Sequence, residues 1–153
     1  MRPNIGRAIL GGFVGTLAIT LMMYQVGPMM GMMKMDFAAS LGKMMGMGWT
    51  AGMMIHFLNG TIIFPLIYAF LLYLLLPGGP TVKGIIWGLI LWLLAQLIVM
   101  PMMGGGVFSS KMGGMMTAGG SLIGHLVYGA LLGAIAGGTE AITGVQRPGA
   151  RPA

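Results

Sequence analysis

Two histidines are the residues of this sequence best suited to specific chemistry, and each lies within a long apolar stretch. His56 and His125 both occur in the pattern H-x-x-x-G, four positions before a glycine. A neutral imidazole can bind haem iron axially or hold a metal ion. Two imidazoles presented by different helices therefore predict a candidate site for haem b or a metal.

Three further polar side chains are expected near these histidines. A helix rises about 1.5 Å per residue, so Thr20, Gln96 and both histidines lie about six to eight residues, or roughly 10 Å, from the nearer helix end. Asn59 lies about one turn further along its helix. Such a polar layer in a membrane either fixes helix register through hydrogen bonds, worth about 0.6–2 kcal/mol each, or binds a ligand. Both interpretations are open at this point.

The methionines are confined to two parts of the chain. There are 19, and apart from Met1 all lie between Met22 and Met54 or between Met100 and Met116. Thioether sulfur suits Cu(I), but methionine also fills irregular gaps and gives a contact surface that adapts to a partner. The candidates for copper ligands or for a partner face are Met29, Met30, Met32, Met33, Met102 and Met103.

Groups that could catalyse a reaction are scarce. The only acidic residues are Asp36 and Glu140, which are expected on opposite sides of a membrane, so no carboxylate pair can form within one chain. The chain has no cysteine, and serines such as Ser121 have no evident base. We therefore expect a protein that is not an enzyme. Proton-coupled transport, which usually needs an intramembrane charge, is also disfavoured.

The composition is that of a protein embedded in lipid. Charged residues make up 7% and hydrophobic residues 57% of the chain, and the mean hydropathy is +0.92. An average globular protein has about 25% charged residues. The eight Lys and Arg residues are scattered beside apolar segments, which suits lipid headgroups and does not suit nucleic acid.

Four apolar segments are long enough to cross a bilayer, which takes about 20 residues in a helix. They lie at about residues 7–27, 49–76, 83–103 and 117–138. Since backbone groups in lipid must be satisfied internally, we predict an all-α membrane protein with a four-helix transmembrane domain over residues 1–143. Asp36 is a candidate N-cap for a short helix on the outer surface at about residues 36–45. Residues 144–153 are expected to form a disordered basic tail.

The loop charges predict the orientation. Five basic residues lie on the side of the termini and three on the other side, which favours cytoplasmic termini. Trp49, Tyr73 and Trp87 lie near predicted helix ends, where aromatic rings often meet the membrane interface. The expected location is the bacterial inner membrane, with lipid and larger membrane subunits as partners.

Small residues at intervals of four mark the faces on which helices are expected to pack. These glycines are Gly129, Gly133 and Gly137 on the fourth helix and Gly52 and Gly60 on the second. Each histidine continues such a stripe by one turn. Pro65, in the second helix, is expected to free the carbonyl of Thr61 and to kink the helix.

The two halves of the chain are similar to each other. Pro28-Met29-Met30-Gly31 recurs as Pro101-Met102-Met103-Gly104, and the H-x-x-x-G pattern recurs with it. Chance matches arise easily in apolar sequence. The pattern is nevertheless compatible with a duplicated two-helix hairpin, whose copies would be parallel repeats about an axis along the membrane normal.

Several segments also carry a likeness to a known family. They are Gly11-Gly12 with Gly15, Asp36 to Gly46, Gly48-Trp49 with Met54-Ile55-His56-Phe57, Pro101-Met102-Met103, and His125-Leu126-Val127-Tyr128-Gly129. Over about residues 5–138, the chain resembles a family of small bacterial membrane proteins of unknown function with four predicted helices. The resemblance implies an inner-membrane location and implies no activity or cofactor.

Three functions are compatible with these features. The first is an accessory subunit of a larger respiratory or photosynthetic electron-transfer complex. This hypothesis rests on the small size, the missing catalytic groups and the adaptable methionine face. The second is a haem- or Cu(I)-binding membrane protein that uses His56, His125 and the methionines. The third is a small oligomeric channel or transporter lined by the polar layer. No soluble substrate is indicated.

Overall fold

The protein is described by a computed structural model, which covers residues 3–31 and 36–137. These residues form five α-helices and one short 3₁₀ turn, Val107–Ser109. The helices are α1 (Ile5–Met29), α2 (Phe37–Met44), α3 (Trp49–Leu75), α4 (Pro80–Met102) and α5 (Gly114–Ala136). The prediction of an all-α fold is confirmed. The expected tail at 144–153 and the candidate residues Met32 and Met33 lie outside the described residues.

Four of the helices are long and apolar enough to cross a membrane: α1, α3, α4 and α5. The chain is therefore a multi-pass membrane protein. Within the described residues, the C-terminal ends of α1 and α4 and the N-terminal ends of α3 and α5 lie at the same end of the bundle. Most of the methionines lie at this end. We call this the methionine-rich end. The short helix α2 also lies at this end, and Asp36 caps it by accepting a hydrogen bond from the Ala39 N–H at 3.0 Å.

Helix α5 lies at the centre of the packing. Both α1 and α4 pack along it, α3 packs on α1 mainly through its middle, and α2 lies on α3. The contact of α4 with α5 is close because Gly84 and Gly129 face each other, and a Cβ atom on either would clash with the backbone of the other. Each glycine predicted on a packing face lies against another element: Gly52, Gly60, Gly129, Gly133 and Gly137.

Three membrane-spanning helices contain a proline that follows a π-helical turn. The turns are Met22–Val26, Asn59–Ile63 and Ala95–Val99, and in each case the proline lies two residues beyond the turn, at Pro28, Pro65 and Pro101. A proline ring in an α-helix clashes with the carbonyl four residues earlier. The π register avoids this clash because it moves that carbonyl away. The result is a wider turn in α1, α3 and α4, while α5 has no proline and continues without interruption.

The π register also decides which carbonyl proline leaves unpaired. In α3 the Phe64 N–H donates to the Asn59 carbonyl, five residues back. In the same register, the carbonyl of Gly60 would need the N–H that Pro65 lacks. The hydroxyl of Tyr128 on α5 donates to this carbonyl at 2.7 Å. The sequence-based expectation named Thr61, and the extra residue of the π turn moves the position to Gly60.

The end of the bundle opposite the methionines is tightly closed. A buried cluster that includes Tyr68, Trp87 and Leu132 fills it. Arg7 Nε donates to the Ile135 carbonyl at 2.7 Å, and the Tyr68 hydroxyl donates to the Pro80 carbonyl at 2.9 Å. Tyr73 and Trp87, which we expected at the membrane interface, are buried among the helices here, with 6% and 5% of their surface exposed.

The role of Tyr128 can be tested with a double-mutant cycle. Tyr128→Phe removes the only donor that reaches the Gly60 carbonyl within the described chain, and we expect the free energy of unfolding in mixed micelles to fall by about 1–3 kcal/mol. Pro65→Ala restores a backbone N–H to α3, so the same substitution should cost about 1 kcal/mol less in that background. An equal cost in both backgrounds would contradict the assignment of the unpaired carbonyl to Pro65.

Candidate functional site: an intramembrane cavity

The half of the bundle nearer the methionine-rich end contains a partly open cavity of about 660 Å³. All five helices contribute to its wall, and residues from all three proline-linked π turns lie in it. Pockets that bind small molecules usually measure about 300–1,000 Å³. The widened turns and the tightly packed opposite end together leave this space between the helices.

The wall of the cavity is apolar and carries no charged side chain among the described residues. Its polar members are Thr16, His56, Asn59, Gln96, Ser109, Thr117, Ser121, His125 and Tyr128. Four of the five residues predicted to form a polar layer are thus brought together. The fifth, Thr20, is not part of the wall but contacts His56.

His125 is held in one tautomer by its own helix. Its Nδ1 lies 2.8 Å from the carbonyl oxygen of Ser121, so Nδ1 carries the proton and donates it. Nε2 is then an acceptor, and no hydrogen bond to it exists within the described residues. Helix α4 fixes the backbone at this point, because Gly88 lies directly against the carbonyl of His125.

The contact between Ser121 and His125 does not form a nucleophile with its base. The Ser121 Oγ lies 3.4 Å from His125 Nδ1, but a base must offer a free lone pair, and this nitrogen carries a proton. His125 Nδ1 therefore cannot act as a base for the Ser121 hydroxyl in this arrangement.

His56 has a different environment. The Thr20 hydroxyl donates to the Thr16 carbonyl at 2.6 Å, so its oxygen is left to accept from His56 Nε2 at 3.0 Å. The rings of Phe37 and Phe57 contact the imidazole edge-on, with centroid distances of 5.6 Å and 5.7 Å. The nitrogen that usually binds haem iron is occupied in His56 and free in His125.

Gln96 and Asn59 come from two of the π turns. Gln96 is 2% exposed, and its Oε1 accepts a hydrogen bond from Ser109 at 2.9 Å. Ser109 and its neighbour Phe108 have φ values of 56° and 50°, a left-handed conformation that costs a non-glycine residue about 1–2 kcal/mol. This strained turn places the Ser109 hydroxyl beside Gln96. The Asn59 side chain makes no hydrogen bond within the described residues.

The methionines do not converge on one point. Met30 and Met102 contribute to the cavity wall, whereas Met29 is 86% exposed and Met103 is half-buried. Among the residues that the structure covers, there is also no group of three His, Cys, Asp or Glu side chains that could hold a metal. Further methionines in the wall, which give it a soft and adaptable surface, are Met22, Met23, Met44, Met45 and Met100.

Helix α2 covers the cavity at the methionine-rich end. Its residues Phe37 and Leu41 belong to the wall. A cluster of hydrogen bonds around Asp36 ties α2 to the neighbouring helices: the Tyr24 hydroxyl of α1 donates to Asp36 Oδ1 at 2.6 Å, and Trp49 Nε1 of α3 donates to the same oxygen at 3.1 Å. The cover is thus attached to both helices that flank it.

Sequence reasoning missed five polar residues of the wall. Thr16 could have been found, because it lies four residues before Thr20 and so shares its face of α1. Ser109 and Thr117 lie in or after the loop that precedes α5, and no periodic pattern points to them. Ser121 and Tyr128 could have been found, because they lie four residues before and three residues after His125 and so share its face of α5.

Comparison with known proteins places the chain in a family. The protein family described as "Family of unknown function (DUF6789)" matches residues 3–146. The chain belongs to this family. No curated protein and no solved structure matches it. Since the function of the family is unknown, the function of this member has to be argued from its cavity.

The attachment of the cover should depend on pH. The slight burial of Asp36 raises its pKa, but the hydrogen bonds from Tyr24, the Ala39 N–H and Trp49 outweigh this effect and hold the pKa below its ordinary value. The ionised Asp36 carboxylate therefore stabilises the attachment of α2 fully above about pH 4. This stabilisation is lost as the pH falls through the lowered pKa of Asp36. We expect the amides of α2 to exchange hydrogen faster at pH 3 than at pH 7, after correction for intrinsic rates.

The control for this experiment is Asp36→Asn, which keeps a good N-cap but cannot ionise. Its α2 amides should exchange fast at both pH values. Exchange in the unmodified protein that does not change between pH 3 and pH 7 would show that the Asp36 cluster does not hold the cover.

Proposed function

We propose that this protein is a non-catalytic, integral membrane binding protein that holds a neutral lipophilic small molecule in the cavity between its helices. The observation that carries the proposal is the cavity of about 660 Å³, whose wall combines apolar side chains with uncharged polar groups. A charged ligand would have no counter-charge among the described wall residues, and burying a charge without a partner is costly. A neutral ligand avoids this cost.

Because the cavity lies between membrane-spanning helices, hydrophobic burial alone cannot select the ligand. A lipophile that enters from the bilayer leaves surroundings as apolar as the cavity wall, so little hydrophobic free energy is gained. Selectivity then depends on hydrogen bonds with the few polar groups of the wall, among them His125, Asn59 and Gln96.

The other candidate functions fit this geometry less well. A haem held by two histidines would need Nε2 of His56, which is bonded to Thr20. A channel would need a polar path to the opposite end, and the cluster of Tyr68, Trp87 and Leu132 fills that end. By the distribution of basic residues, we propose that the termini face the cytoplasm and that the cavity lies in the outer half of the bacterial inner membrane.

Cavity binding is tested by filling the cavity. Ala95 lies in the wall, within the π turn of α4, and Ala95→Phe should occupy the ligand's space. Leu97 lies two residues further on the same turn, is 48% exposed and is not part of the wall, so Leu97→Phe is the matched control. The measurement is native mass spectrometry of each protein after mild detergent extraction from its own membranes, followed by identification of bound molecules.

We expect one neutral lipophile at near-stoichiometric occupancy in the unmodified protein and in Leu97→Phe. Occupancy should fall by more than about tenfold in Ala95→Phe, because overpacking costs about 1–3 kcal/mol and each 1.4 kcal/mol is a factor of ten. Equal occupancy in all three proteins, or none in any of them, would refute the proposal.

A second role is supported by the exposed methionines. Met29, Met54 and Met115 have 86%, 68% and 73% of their surface exposed, and all three lie at the methionine-rich end. Flexible methionine side chains suit a protein contact that adapts to its partner. We propose that this end binds larger membrane subunits, as an accessory subunit of an electron-transfer complex would.

The accessory role predicts the size of the native particle. Extracted gently from its own membranes, the protein should migrate far above a few multiples of 16.0 kDa and copurify with larger subunits in fixed ratio. Replacing the three exposed methionines by serine should release it as a small particle. A homogeneous small particle before any substitution would exclude the accessory role and leave the binding proposal intact.

A further inference from the structure

The hydrogen-bonding groups of the cavity restrict the chemistry of the ligand, provided that the proposed binding function holds. The most informative group is His125. Its Nδ1 donates to the Ser121 carbonyl at 2.8 Å, so its Nε2 can only accept. A ligand that offers only acceptors, such as a ketone, an ester or an ether, would leave this nitrogen unpaired in an apolar cavity, which is unfavourable.

Two backbone carbonyls add to the acceptors. The Gly27 N–H donates to the Met22 carbonyl and the Met100 N–H donates to the Ala95 carbonyl, each five residues back. In this register, Pro28 and Pro101 withhold the N–H that the carbonyls of Met23 and Gln96 would need. Both residues belong to the cavity wall. In α3, the equivalent carbonyl, that of Gly60, already accepts a hydrogen bond from the Tyr128 hydroxyl.

We infer that the ligand's polar head is a hydroxyl group on an aromatic ring, as in a lipophilic phenol or hydroquinone. This hydroxyl donates a hydrogen bond to Nε2 of His125. We infer an aromatic ring because Phe37, Phe64 and Tyr128 belong to the cavity wall. Aromatic side chains favour edge-to-face pairs with a second ring. An aromatic hydroxyl is also a stronger donor than an aliphatic one.

The remaining polar groups suit the same head. The Oε1 of Gln96 accepts from Ser109 at 2.9 Å, which leaves the amide N–H groups of Gln96 as donors. A hydroxyl oxygen can accept such a bond while its proton is donated to His125. The adaptable methionines and aliphatic side chains of the wall would surround the ligand's hydrocarbon substituent. Reduced and oxidised forms of one ring should therefore differ in affinity, since only the hydroquinone can donate.

The experiment compares four probes that differ only at the head: decyl-substituted benzohydroquinone, its dimethyl ether, the corresponding benzoquinone, and a fatty alcohol of matched length. Each is titrated calorimetrically, without oxygen, into the full-length protein in lipid nanodiscs, and binding to Ala95→Phe is subtracted as partition into lipid. The protein variants are His125→Phe, which keeps a ring but removes the acceptor, and Ser121→Ala, which keeps the carbonyl that fixes the tautomer.

We expect the hydroquinone to bind the unmodified protein about tenfold or more tightly than its ether, the quinone or the alcohol, as one buried hydrogen bond allows. This preference should persist in Ser121→Ala and disappear in His125→Phe. The comparison of the four probes on the unmodified protein tests the inference even if His125→Phe does not fold.

Equal binding of all four probes would overturn the inference about the head and leave the binding function standing. Tighter binding of the quinone would also overturn it, because the selecting groups would then be donors. A Soret absorption band in the protein as isolated, lost in His125→Phe, would show that Nε2 binds haem iron instead. If no probe exceeds the Ala95→Phe background and the native extract holds no lipophile, the binding function itself fails.

Discussion

A helix in lipid must pair its backbone groups internally, because no water is available to satisfy them. Each proline in a membrane-spanning helix removes one N–H and so leaves one carbonyl unpaired. This chain has a proline inside three of its four spans, each preceded by a π turn. Because a π turn widens the helix and brings a different side chain to its inner face, the proline-linked turns contribute to the shape of the cavity and supply Asn59 and Gln96 to its polar wall.

The bundle is asymmetric along its axis for the same reason. At the closed end, long side chains complete the backbone pairing, as Arg7 does for Ile135 and Tyr68 for Pro80. At the methionine-rich end, the prolines of α1 and α4 lie near the helix tips, where α2 covers the space between helices. Helix α5 has no proline, and its glycine face lets α1 and α4 approach along its length. The uninterrupted helix therefore provides the fixed wall on which His125 is held.

Much of this architecture follows from the sequence by simple geometry. Counting the rise per residue from each helix end places His56, His125 and Gln96 at one depth, and the cavity includes all three. The count could not reveal the π turns, since each shifts the register by only one residue. For this reason Thr61 was expected to carry the unpaired carbonyl instead of Gly60. The strained conformation of Ser109 likewise depends on tertiary contacts that no local pattern encodes.

The similarity of the two halves makes the difference between their histidines informative. When the prolines of α1 and α4 are aligned, Thr20 and Leu93 are equivalent, because each lies eight residues before its proline. In the first half, the Thr20 hydroxyl pairs with His56 Nε2. In the second half, leucine has no hydroxyl to offer, and the Ser121 carbonyl instead holds His125 through Nδ1. The Thr20 hydroxyl occupies Nε2 of the first imidazole, so the second is the one whose Nε2 is available to a ligand. A pair of equivalent haem ligands would need the same environment on both sides, whereas a neutral cavity that offers Nε2 of His125 together with the carbonyls of Met23 and Gln96 suits a ligand that donates hydrogen bonds.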